Sequence, residues 1–254
     1  MRAGTIPSVI IILLLSQAVL FGCKKTETAG IKTLQGSPES HQQEMVRKSF
    51  EESKKIVAAK VNNEPITMFS LLREMNAIAP HYLAPGQERT PEIDAKIRKD
   101  GLNTLIIQEL AVQEARKRGM KARPELIDST IKKIRMDAPS EDAYQKELAK
   151  QGMSEEELRR SIEQDNLFEL IAAQEIDAKI KVSDDDLRKR YAKEKAGMKD
   201  NAHGQMTFEQ VKGMLEQKSR AEAGEKRMRE WEKELKKTAR IEIVEQQHDA
   251  GSRR

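Results

Sequence analysis

The chain has 254 residues, of which 35% are charged and only 4% aromatic, with a formal net charge of +4. The charges alternate along helical faces and form no basic block, and aromatics to stack bases are scarce, so a nucleic-acid binder is excluded. A single cysteine excludes a disulfide framework and a cysteine-built metal site or nucleophile in the folded part.

Arg2 and the apolar run Ile10-Ile11-Ile12-Leu13-Leu14-Leu15 read as a secretion signal, too short before Lys24-Lys25 to favour a spanning helix. The ending Leu20-Phe21-Gly22-Cys23 resembles the bacterial lipobox, which implies removal of residues 1–22 and acylation of Cys23; the alternative is an uncleaved anchor. Either places the protein outside the cytoplasm on a membrane, and Lys24 after the cysteine leans to the outer membrane. Residues 23–52 read as a lipid-anchored tether, polar and Gly/Ser/Pro-marked in its first half, with a helix conceivable over Met45–Ser53.

A domain over 53–245 is expected next. Ile56–Val61 reads as a short strand, Asn62-Asn63 as a tight turn, and Pro65 as an edge position or one just past the strand. Thr67 caps a helix carrying Met68, Leu71, Leu72 and Met75. Thr90-Pro91-Glu92 starts a long helix with Leu102, Leu105, Ile106 and Leu110 on one face, ending at Gly119. Further helices start at Pro124, Ser140, Ser154 and Ser183, the Ser154–Glu157 pair forming a capping box. The second half of the helix after Ser154, with Leu167, Leu170 and Ile171, is expected to be the most buried element. Thr207-Phe-Glu-Gln210 launches the longest helix, in which Met214, Ala221, Met228 and Leu235 recur every seven residues beside Val211, Leu215 and Trp231. Arg240–Val244 alternates at period 2 and reads as a closing strand that pairs with Ile56–Val61; residues 246–254 read as a frayed tail. The expected fold is mainly α, a helical insertion whose ends are clamped by a two-stranded β pairing.

Four stretches, in this order, carry a family resemblance: Val57-Ala-Ala-Lys-Val-Asn-Asn-Glu-Pro-Ile-Thr67, Leu105-Ile-Ile-Gln-Glu-Leu-Ala-Val-Gln-Glu-Ala115, Val182-Ser-Asp-Asp-Asp-Leu187 with Tyr191, and Thr207-Phe-Glu-Gln-Val211. Together they resemble the SurA/PrsA-type extracytoplasmic chaperones, specifically the SurA N-terminal module. The resemblance implies a chaperone for unfolded exported polypeptides. Most of that family inserts a parvulin-type prolyl isomerase between the helix bearing Tyr191 and the terminal helix. Here that space is Lys195–Met206, and a folded domain needs about 50 residues. His41, His81, His203 and His248 lie scattered, so the chain is expected not to be an enzyme.

No HExxH, GxSxG or glycine-rich phosphate loop is present. Glu155-Glu156-Glu157 and Asp184-Asp185-Asp186 suit the first turns of helices better than a metal, and His203 near Asp200 suits a solvated turn. No cofactor, metal or nucleotide is therefore expected. The candidate client-binding surface is the opening helix and its loop: Met68, Leu71, Leu72, Met75, Ile78, Tyr82 and Leu83. The remaining methionines, Met136, Met153, Met214 and Met228 among them, either fill gaps in an aromatic-poor core or adapt to varied partners. The expected function is an anchored holdase working without ATP; the alternatives are an adaptor lipoprotein docking one fixed envelope partner and, behind it, a residual peptidyl-prolyl cis-trans isomerase.

Overall fold

The computed structural model describes residues 38–84, 86–197 and 206–244. The signal, Cys23, the first part of the tether, the Asp200/His203 turn and the tail lie outside the described residues. Eight helices and three strands run α1 (Pro38–Lys55), β1 (Val57–Val61), β2 (Glu64–Thr67), α2 (Met68–Ile78), α3 (Pro91–Lys117), α4 (Pro124–Asp137), α5 (Glu141–Lys150), α6 (Glu155–Glu175), α7 (Asp184–Gly197), α8 (Phe208–Lys237) and β3 (Ile241–Ile243).

Local capping chemistry sets most of these boundaries. Thr67 Oγ1 accepts from the Ser70 amide at 3.1 Å and Ser140 Oγ from Ala143 at 3.1 Å. Ser154 and Glu157 exchange both capping-box bonds, and Ser183 with Asp186 repeats the arrangement. Thr207 and Gln210 complete the third box, at the start of α8. α1 begins at Pro38, ahead of the expected Met45, so the second half of the expected tether is helical.

The sheet is antiparallel in the order β2-β1-β3. The pairing of the chain ends is present as expected, with Ala59 opposite Ile243 and Val61 opposite Ile241. The expected two strands are three: Asn62 and Asn63 take φ of 57° and 111° and turn the chain straight into β2. Pro65 sits within that strand opposite Lys60, tolerated because β2 is an edge.

The chain divides into two compact units. A sheet-bearing unit comprises residues 38–109, 122–166 and 240–244; a long-helix unit comprises 110–121 and 167–239. The core of the sheet-bearing unit gathers Phe69, Ile127, Ile131, Tyr144, Leu148, Met153, Leu158 and Ile162, with Phe50 packed against it. In the long-helix unit Leu187, Phe208, Val211 and Leu215 form a smaller cluster with Tyr191 beside it. Of the three α6 residues expected to be most buried, Leu167 and Ile171 are buried and Leu170 is half-buried, and α3 buries a longer apolar run from Leu102 to Ala115. Along α8 the buried residues are Phe208, Val211, Leu215 and Trp231, whereas Met214 and Ala221 of the seven-residue series are exposed. The stripe beside the series is the more buried, while Met228 and Leu235 of the series are half-buried.

Candidate functional site

α1 is charged on most sides, and its attachment to the sheet-bearing unit rests on Phe50. The ring meets Phe69 edge-on, centroids 5.8 Å apart at 82°, and lies on the backbone of Gly152. A Cβ at residue 152 would stand 2.5 Å from Phe50 Cγ. Gly152 also has φ +65°, closing the C-terminal end of α5 in the left-handed conformation. One glycine thus ends α5 and admits the ring of α1.

Along this junction runs a groove of about 1040 Å³ between α1 and the α5–α6 connection. Val46, Phe50, Ala149 and Met153 give it an apolar lining, and Lys54, Lys146, Lys150 and Glu157 stand among its polar groups. Several of these charges are satisfied within the protein. Lys54 Nζ reaches Glu157 at 2.8 Å and Glu51 at 3.0 Å, and lies 5.1 Å from the centre of the Phe69 ring. Burial alone would lower the Lys54 pKa, but the two carboxylates hold it above the ordinary value. Burial likewise works to raise Glu157, and the bonds from Lys54 and Ser154 bring it below the ordinary carboxylate value. Val46, at 46% exposed, and Met45, at 61%, leave apolar surface on α1 open to solvent. This arrangement has the chemistry of a surface for apolar side chains, with charges that need no new partner.

The face expected from the sequence is placed differently. Met68 and Leu71 are buried, Leu71 completely. Met75, Ile78, Tyr82 and Leu83 are half-buried, and Leu72 alone is exposed, at 45%. α2 uses this face to pack on α3 around Gly101, where a Cβ would make ordinary contact at 3.4 Å with Glu74 Cγ and 3.6 Å with Met75 Cγ. The Tyr82 hydroxyl donates to Asp100 Oδ2 at 2.7 Å, which holds the phenol above its ordinary pKa. Beside this contact Glu74 is buried with Oε1 lacking a hydrogen-bond partner, and burial raises its pKa against the opposing pull of Arg73. The groove escaped sequence reasoning because α1 looked like tether; Val46 and Phe50 four residues apart were the available signal.

Among the described residues no group of His, Cys, Asp and Glu is placed to hold a metal ion, and no helix is long and apolar enough to cross a membrane. The family model for the SurA-like N-terminal domain matches residues 5–172. That span takes in every residue lining the groove and stops within α6, ahead of the Val182–Leu187 and Thr207–Val211 stretches. No parvulin isomerase domain is matched. No curated protein matches the chain.

Proposed function

We propose that this chain, which belongs to the SurA-like N-terminal domain family, is a membrane-anchored holdase that binds unfolded exported polypeptides in the groove between α1 and the α5–α6 connection. A chaperone-like role in general comes with the family; the groove supplies the finer reading. The observation that carries it is an apolar trough about 1040 Å³ in volume, open along α1 and containing charges already paired within the protein. Burying a few hundred Å² of client there at ~25 cal/mol per Å² leaves only a few kcal/mol after ordering costs. Affinity of that order holds a chain and releases it without ATP. Acylation at Cys23 would hold this surface on a membrane of the compartment that exported chains enter, most simply on the periplasmic face of the outer membrane.

The test is light scattering while a chemically unfolded, unrelated protein is diluted with and without residues 24–254 of this chain. Suppression is expected for the wild type, reduced in Val46→Asp and retained in Leu72→Asp. Both positions are exposed, so either substitution is tolerated within about 0.5 kcal/mol. Loss in Leu72→Asp alone would return the site to α2. No suppression by folded wild type would remove the holdase and favour an adaptor with one fixed partner. Cys23→Ser is expected to release the protein from membranes; persistent association would mean an uncleaved anchor.

A further inference from the structure

The two edges of the small sheet are built differently. Between β1 and β3, the Asn62 amide donates to Arg240 O at 2.8 Å and the Val244 amide to Ala58 O at 3.0 Å. In an antiparallel ladder the backbone groups alternate in direction. Arg240, Glu242 and Val244 therefore face β1, while the N–H and C=O of Ile241 and Ile243 point outward. The same alternation on β1 sends Ala59 and Val61 toward β2, where they meet Ile66 and Glu64. The outward position of β2 is then Pro65, opposite Lys60, which has no N–H to offer. One edge is closed by proline; the other presents two donors and two acceptors.

Side chains repeat the asymmetry. Residues directly opposite share a face, so Ile66, Ala59 and Ile243 form one row across the sheet. Ile66 and Ala59 are buried, but Ile243 is 59% exposed. On the opposite face Glu242 is exposed and paired to Arg240, and Val244, 41% exposed, follows it. Among the described residues no strand follows β3 in the sheet.

We propose that the open edge of β3 accepts an extended segment of a non-native polypeptide as a fourth strand, which bonds to the Ile241 and Ile243 backbone and lays alternate apolar side chains beside Ile243. The size of the edge selects this occupant. A strand of three residues is about 10 Å long, far short of what a second copy needs to bury the roughly 1,200 Å² of a stable interface. A non-native chain needs no such area at one place, because it contacts the groove as well and gains from linked weak sites. Backbone bonding also imposes no sequence, only extension, with a preference for apolar residues at every second position. Only the source of the strand rests on the holdase reading; the edge itself is testable without it.

The experiment follows amide hydrogen exchange in ¹⁵N-labelled residues 24–254 with a synthetic ten-residue peptide of alternating valine and threonine, lysine at each end. At ten times its Kd the peptide is expected to slow exchange at Ile241 and Ile243 about tenfold, with Glu242 and Val244 little changed. Ile243→Pro removes an outward donor and no β1 bond, so it is expected to abolish the protection at Ile241; Ile243→Ala keeps it in weakened form. Protected Glu242 and Val244 amides report that the β1–β3 pairing survives in each variant. A peptide N-methylated at every second residue gives the same reading on the unaltered protein, losing the effect. Unchanged exchange at Ile241 and Ile243, or full protection by the N-methylated peptide, overturns the proposal. Neither result bears on Val46→Asp in the scattering assay, so failure of the edge and failure of the groove are distinguishable.

Discussion

The sheet-bearing unit and the long-helix unit both bury apolar cores, but only the second gathers three cations on one buried carboxylate, Glu175, among the described residues. In the first, eight buried side chains with Phe69 and Tyr144 among them make one core cluster, and Phe50 keys α1 onto it. In the second, the cluster of Leu187, Phe208, Val211 and Leu215 is joined by buried Val112, Ile171 and Trp231, and arginine and glutamate also tie the helices. Glu175 receives Arg118 at 2.7 Å and Arg227 at 3.0 Å, with Lys179 as a third partner. Arg190 holds both oxygens of Glu222 at 2.6 and 2.7 Å, and also reaches Glu194 and Ser219. Apolar burial tolerates salt and acid; ion pairs do not. The unit whose surface carries the open apolar groove thus has an apolar seal of its own beneath it.

The largest expected effect breaks that seal. Leu71→Asp places a charge at a fully buried position and is expected to cost more than about 4 kcal/mol, enough to abolish cooperative unfolding seen by circular dichroism. Next is Glu175. Burial works to raise its pKa, but Lys179, Arg118 and Arg227 hold it at about 2, against an ordinary 4.5. A carboxylate lowered in this way gives its full stabilisation above its unfolded pKa and loses it as pH falls through the folded one. Glu175→Gln is expected to cost about 2–3 kcal/mol at neutral pH, less than full linkage because Arg118 and Lys179 are partly in water. Trp231, the only tryptophan and buried in this unit, reads it by fluorescence. The wild-type midpoint should fall as pH drops from about 4.5 to about 2, and the variant should lose that part of the slope.

Gly152→Ala returns the comparison to the sheet-bearing unit. Positive φ and the Phe50 ring together are expected to cost about 1–3 kcal/mol. In Phe50→Ala background the steric part should vanish and the conformational part remain, a coupling that denaturant titration of the four proteins measures. The smallest effect is Arg190→Lys, which loses the two-pronged grip on Glu222. Raised salt should erase the difference from wild type in the Trp231 midpoint.

The caps were legible because they are local. Thr67, Ser140, Ser154, Ser183 and Thr207 each declare a helix within four residues of themselves. The pairing of β1 with β3 was legible for another reason: the chain holds few β-branched alternations, so the two ends had little choice of partner. β2 was missed because Pro65 argues against a strand unless its N–H would have pointed outward, and direction is a property of register. The α2 face was misplaced because periodicity shows which side of a helix is apolar and is silent on what covers it. Here α3 lies against it around Gly101. α1 and its groove were hidden because Phe50 and Gly152 are about a hundred residues apart, and no short window contains both.

The groove itself is tested most directly by placing photoreactive benzoylphenylalanine at Val46 and, separately, at Met136, which is 73% exposed on α4 outside the groove. Each protein is irradiated with a reduced, carboxymethylated and therefore unfolded polypeptide. Crosslinks at position 46, suppressed by excess unlabelled polypeptide and absent at 136, are the predicted result. Equal crosslinking at both positions, or none at 46 while 136 reacts, would contradict a client site between α1 and α5.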